Sequence, residues 1–261
     1  MFDYHIHTRV SFDGKQSAQE ALAAAEAAGL REICFTDHVD YDPGNPANVM
    51  AFSNDDYHKA YDNLKSDRVK IRRGMEFGLT TDNQSQLKKD LARRNFDFVL
   101  GSIHFVEGRD VYFAPYWQGK TQEEAERIYL ETTLACVECQ EDYDVLAHLT
   151  YIGKAPGNVS GLPVLYANHR TLVDEILRVL AKKGKGLELN TSGKDRCGAF
   201  LPDEPYFRRF RELGGEIVTI GSDAHSADRV GQYTPEACRL LKDIFGHVCT
   251  FENHQVLFHA L

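Results

Sequence analysis

Phe2-Asp3-Tyr4-His5-Ile6-His7 opens the chain and decides how the rest of it is read. A short strand sends alternate side chains to opposite faces. Asp3, His5 and His7 are therefore expected on one face, with Phe2, Tyr4 and Ile6 on the other. Two imidazoles side by side at a strand end can hold one metal ion. An HxH pair alone is weak, because such pairs also occur on solvated edges. Its meaning depends on where the other histidines fall.

Working outward, the chain alternates strand and helix. Ser17-Ala18-Gln19-Glu20 is a capping box that opens an Ala-rich helix to Ala28, with Gly29 as the left-handed stop. Further strands are expected at 32–36, 69–76, 96–103, 144–147, 186–189 and 216–220. The helices between them are expected at 54–64, 82–94, 121–140, 166–183 and 205–213, with a last one at 234–245 and a short apolar segment at 248–251. Alternation of this kind implies a parallel sheet with right-handed crossovers. Seven units with no composition break predict an α/β fold, a single-domain distorted (β/α)7 barrel spanning residues 1–261.

The coordinating residues fall at the C-terminal ends of these strands. His5 and His7 are on the first, His38 follows the second, Glu76 ends the third, His104 the fourth, His148 the fifth, and Asp223 and His225 the seventh. In a parallel barrel those ends converge on one face, where active sites are built. The other five histidines (His58, His169, His247, His254 and His259) are read as scattered onto helices. Imidazole and carboxylate without thiolate suit Zn, Mn or Fe at a hydrolytic site better than a structural zinc. The ligands outnumber one ion's needs, which implies two or three divalent ions, with Glu76 able to bridge two of them.

These residues stand in the motifs Asp3-Tyr4-His5-Ile6-His7, Thr36-Asp37-His38, Gly74-Met75-Glu76, Gly101-Ser102-Ile103-His104, Ala147-His148 and Ser222-Asp223-Ala224-His225. Together they resemble the PHP (polymerase and histidinol phosphatase) family, a distorted seven-stranded barrel carrying up to three metals. The resemblance implies one metal on His5, His7, Glu76 and Asp223, a second on Glu76, His104 and His148, and a third on His38, His225 and Asp13. It implies catalytic work for Glu76, Asp223, His38 and His225. Leu189-Asn190-Thr191-Ser192-Gly193 and the surroundings of His104 look like the branch that removes phosphate from L-histidinol phosphate. Thr150 departs from that branch, where an Asp often stands. By the same resemblance, basic residues in the loops after the fifth and sixth strands grip the phosphate. The candidates are Lys154, Lys194 and Arg196, Arg196 and Lys154 being favoured, with Asn190 beside them.

Composition narrows the partners. A formal charge of −9 argues against a non-specific nucleic-acid or anionic-membrane surface but not against a small phosphate monoester. No basic segment followed by an apolar run opens the chain, and no stretch approaches the ~20 apolar residues of a membrane span. Six scattered cysteines read as reduced thiols, so a cytoplasmic protein is expected. Nothing in the sequence sets the oligomeric state. The rival readings are another PHP-type phosphoesterase acting on a phosphotyrosine or nucleotide, an amidohydrolase, and a non-catalytic metal-binding domain. The amidohydrolase would want a strand-end lysine where His104 stands, and the non-catalytic domain would be expected to have lost ligands.

Overall fold

The computed structural model describes residues 1–261. Seven strands run parallel and neighbour one another in chain order: β1 (Phe2–Ile6), β2 (Glu32–Phe35), β3 (Lys70–Gly78), β4 (Phe98–Ser102), β5 (Val145–Leu146), β6 (Gly186–Asn190) and β7 (Val218–Gly221). The ring is drawn shut between its ends: Ile6 bridges Ala224 in parallel, and the His7 amide donates to the Ala224 carbonyl at 2.9 Å. One main helix follows each strand: α1 (Ala18–Ala27), α2 (Asn54–Tyr61), α3 (Gln84–Leu91), α4 (Gln122–Cys139), α5 (Arg170–Lys183), α6 (Glu204–Glu212) and α7 (Thr234–Phe245).

Local sequence sets the helix ends. In the Ser17/Glu20 box each residue satisfies the other's free amide, at 2.6 and 3.2 Å, and Thr121 with Glu124 repeats the device at α4. Gly29 after α1 takes a φ of 67°, which a side chain would resist.

Strict alternation does not survive in β1. Asp3 pairs with Ile33 but Ile6 pairs with Phe35, so β1 spends three residues where β2 spends two. The extra residue is a β-bulge, and it reverses the phase of the strand. Asp3 and Ile6 share the outward face, while Tyr4 and His5 both turn inward. The expected grouping of Asp3 with His5 and His7 is therefore corrected. Asp3 instead accepts from the Ser222 amide at 2.8 Å and the Gly231 amide at 2.8 Å, tying β1 to the segment after β7.

The second strand also runs further than its apolar stretch suggested. Phe35 pairs with Arg73 and, after a break at Thr36-Asp37, His38 pairs with Glu76 at the same offset. That continuation, His38–Tyr41, sets His38 directly beside Glu76, and Val49–Ala51 folds back on it.

The end of the chain differs most from expectation. His247–Glu252 (β8) and Gln255–Ala260 (β9) form an antiparallel hairpin rather than one short segment. His247 and His259 lie in its strands and His254 in its turn, so only His58 sits within a helix; His169 caps the start of α5. The hairpin closes the N-terminal end of the barrel. The Tyr4 hydroxyl donates to Glu32 at 2.5 Å and accepts from the Phe251 amide at 3.1 Å, while Arg72 spans Glu32 and Glu252, 2.8 Å from each.

Removing one member should be felt, because a buried carboxylate and a buried amide would each lose a partner. Tyr4→Phe is expected to lower stability by about 1–3 kcal/mol. Urea unfolding followed by circular dichroism measures it, and an unchanged midpoint would mean that the hairpin does not depend on this hydroxyl.

Candidate metal and phosphate site

At the opposite end of the barrel the strand ends deliver their polar residues to one cluster. Glu76, fully buried, lies at its centre. Its Oε2 is 3.0 Å from His5 Nε2, 3.3 Å from His7 Nε2 and 3.1 Å from His38 Nδ1. Its Oε1 is 2.8 Å from His148 Nε2 and 3.3 Å from His104 Nε2, and it accepts from Ser102 Oγ. The two oxygens thus face different imidazoles, as a carboxylate shared between two ions must. Asp223 Oδ1 lies 3.4 Å from His7 and 3.8 Å from His5. At the mouth, Asp13 Oδ2 is 3.0 Å from His225 Nε2 and 3.6 Å from His38 Nε2.

All nine sequence candidates for ligands therefore meet. Their donor atoms fall into groups lying within 4.8 Å of one another: His5, His7 and Asp223; His5, Glu76 and His148; and His7, Asp13, His38 and His225. The structure adds His7 to the last group, and a further group joins Asp40 to His38 and His104.

The electrostatics of the cluster are those of cation ligands. Burial works against the charge on Glu76, but His5, His38 and His104 outweigh it and hold the carboxyl well below its usual range. Burial opposes charge on Asp223 too, and Lys154 and His5 overcome it. Burial disfavours a charged His104, yet Asp40 and Glu76 push it up to about 10. His7 is held down by burial and by His225 and His38, and His148 by burial. His7 Nε2, His38 Nδ1 and Asp13 Oδ1 are buried with no hydrogen-bond partner. Orphaned donor atoms cost free energy unless something binds them. Divalent ions fit this donor set, because a cation replaces the protons that otherwise pair imidazole with carboxylate. Two of the candidates, His148 and Asp223, have positive φ values of 23° and 55°, backbone strain of the kind that collects at functional sites.

Two carboxylates that the sequence reading missed orient the imidazoles. Glu188 Oε1 is 2.7 Å from His5 Nδ1, and its Oε2 accepts from the His148 amide at 2.8 Å. Asp40 Oδ1 is 2.9 Å from His104 Nδ1. Each fixes a ring from behind and leaves its Nε2 to the cluster. Gly221 is what lets Glu188 come so close to His5, since a Cβ there would overlap both side chains. The signal for Glu188 was present: in Gly186-Leu187-Glu188-Leu189-Asn190 it shares the inward phase with Asn190.

The phosphate candidates separate. Lys154 Nζ reaches Asp223 Oδ2 and lies 2.9 Å from Ser192 Oγ, so it borders the cluster. Lys194 is committed to Glu236 at 2.9 Å. Arg196 is exposed on the helical turn Lys194–Cys197. Asn190 is fully buried; it donates to Glu188 and accepts from Ser192 at 2.6 Å, so it braces the site from beneath.

Residues 3–192 match the model of the PHP domain. The chain belongs to the PHP family. The match stops short of Asp223 and His225, which the fold nevertheless brings to the cluster. Among PHP relatives, histidinol-phosphatase of Lactococcus lactis is 33% identical over 97% of this chain and 95% of its own length. A probable histidinol-phosphatase of Clostridium acetobutylicum is 32% identical over 93% of both chains. The crystal structure of the Lactococcus lactis histidinol phosphate phosphatase complexed with zinc, L-histidinol and phosphate has a TM-score of 0.86 to this fold at 32% identity, covering 98% of both chains. A putative histidinol phosphatase from Listeria monocytogenes, at 20% identity and TM-score 0.72, shares the barrel.

If Glu188 orients His5 as the geometry indicates, Glu188→Ala should weaken zinc binding by about 10- to 100-fold, the usual effect of losing a carboxylate behind a ligand. Competition against a chromophoric chelator reads this directly. Affinity equal to the parent's would mean that His5 needs no such support.

Proposed function

We infer that this PHP protein is a metal-dependent histidinol-phosphatase, hydrolysing L-histidinol phosphate to L-histidinol and inorganic phosphate. The observation that carries this is the convergence of six imidazoles, Glu76, Asp223 and Asp13 at one barrel mouth. That mouth belongs to a chain similar over its whole length to an enzyme solved with zinc, L-histidinol and phosphate.

The assignment of residues is ours. His5, His7, Glu76 and Asp223 would hold one ion, Glu76, His104 and His148 a second, and His38, His225 and Asp13 a third. Imidazole and carboxylate ligands suit zinc, manganese or iron. Bound there, divalent ions polarise a phosphoryl oxygen and lower the pKa of water towards neutrality. The chain's own side chains do the rest. Glu76, with one oxygen turned to each side, keeps the two inner ligand sets at fixed separation. Asp223, His38 and His225 face the mouth, where the reacting groups assemble. Lys154, already beside Asp223 and Ser192, supplies a cation to the phosphate, and Arg196, free on its turn, can add a bidentate grip over the rim. Biosynthetic phosphatases of this kind work on soluble metabolites, and six free cysteines suit a reducing cytoplasm.

Assay of the purified protein against a panel of phosphate monoesters tests the reading. L-Histidinol phosphate is expected to give the highest kcat/KM, and more than one equivalent of transition metal should copurify. Preference for a phosphotyrosine or nucleotide substrate, or activity indifferent to chelators, would overturn it.

Phosphate grip separates from metal binding by mutation. Lys154→Ala should cost a few kcal/mol in kcat/KM, about 10²-fold or more, and weaken inhibition by inorganic phosphate. Arg196→Ala should do the same while leaving metal content unchanged. If either variant keeps parental kcat/KM and phosphate inhibition, that residue does not hold the phosphate.

A further inference from the structure

Unlike His5 and His104, His7 has no carboxylate behind it. Its Nδ1 lies 3.3 Å from Ser11 Oγ instead. Ser11 Oγ in turn donates to Asp37 Oδ1 at 3.0 Å and accepts from the His38 amide at 2.9 Å. Asp37 is completely buried, and every contact it makes is with a donor: the Thr8 amide at 2.7 Å, the Thr8 hydroxyl, Ser11 and the Tyr61 hydroxyl.

The protons around Ser11 then decide what its hydroxyl can offer His7. Ringed by donors, the Asp37 carboxyl oxygens accept, so the single Ser11 hydroxyl proton points at Asp37. Both Ser11 lone pairs are left to accept, one from the His38 N–H and the other from the imidazole. Ser11 can thus accept a proton from His7 Nδ1 but cannot give it one, and with the proton on Nδ1 the buried Nε2 turns its lone pair to a cation between Glu76 and Asp223.

We propose that Asp37, acting through Ser11, sets the tautomer of His7 and so makes Nε2 the metal-binding nitrogen. Asp37 and Ser11 are positioning residues, touching neither ion nor substrate. Ser11 also ties the loop after β1 to the break in the second strand, so one hydroxyl fixes the tautomer of His7 and the backbone at His38. Tyr61 brings α2 into the same network, since its hydroxyl holds the other oxygen of Asp37. The proposal rests on the metal reading of the cluster but not on the identity of the phosphate ester.

Nitrogen-15 spectra of histidine-labelled, metal-free protein near pH 8 test it without substrate. The parent is expected to show His7 as the Nδ1–H tautomer. In Ser11→Ala that signal should move towards the Nε2–H form, and zinc affinity by chelator competition should fall about 10- to 100-fold. Ser11→Thr keeps the hydroxyl and should restore both. Asp37→Asn, which offers Ser11 a donor in place of an acceptor, should disturb the tautomer in the same direction as Ser11→Ala. An unchanged His7 tautomer in Ser11→Ala overturns the proposal, as does equal loss in Ser11→Ala and Ser11→Thr, which would make the serine a packing element. If zinc fails to bind the parent, the metal reading fails while the tautomer measurement still decides the relay.

Discussion

A carboxylate with no solvent exposure, facing five imidazoles, is the constraint around which this barrel is arranged. Burying an unpaired charge is prohibitive, and pairing it repays the cost only when the surrounding groups are held in place. Glu76 meets that condition because the five imidazoles arrive from four strand ends and most are braced from behind. His5 has Glu188, His104 has Asp40 and His7 has Ser11. His225 Nδ1 is held at 2.9 Å by the carbonyl of Asp223. The bracing residues are themselves buried polar groups, so the site extends a layer deeper than its ligands. The opposite end of the barrel must then carry the closure on its own, through the Tyr4, Glu32 and Arg72 network beneath the hairpin.

The bulge in β1 is what lets one strand serve both ends. Without the extra residue Tyr4 and His5 would face opposite ways, and the strand could give a side chain either to the lower network or to the cluster. With it, Tyr4 points in towards Glu32 and Phe251 while His5 points in towards Glu76. Asp3, turned outward, is free to bind Ser222 and Gly231 and so fixes the segment carrying Asp223 and His225.

The barrel and the ring of ligand candidates were legible because both depend on period and position. Apolar runs mark the strands, and a polar residue ending each run marks the mouth. What was not legible depends on register or on distant partners. Alternation counted from Phe2 gives the wrong face to Asp3, because a bulge is a property of the pairing with β2 and leaves no mark in six residues. The β9 strand has mixed exposure along its length, and its role appears only when it lies against β8. In sequence, Arg196 is favoured over Lys194 for its bidentate reach alone; what occupies Lys194 is Glu236, forty-two residues further on. Asp40 lay in a loop by apolar pattern alone, and only the continuation of the second strand beside β3 turns it towards His104.

Charge balance bears on how many ions the mouth takes. Glu76, Asp223, Asp13, Asp40 and Glu188 bring five negative charges when ionised, and Lys154 is the cation in direct contact with them. Two divalent ions with Lys154 would only neutralise the five carboxylates, leaving no attraction for a phosphate dianion in a region of low dielectric. A third ion gives a surplus of two positive charges, which a dianion matches. The third position is also where the geometry is most open, since Asp13 and His225 are the ligand candidates with about a third of their side-chain surface exposed. An ion held there by Asp13, His38 and His225 would lie nearest the solvent, where an incoming phosphate is first met. On that division the buried Glu76 would serve the inner ions and the half-exposed Asp13 the one at the entrance.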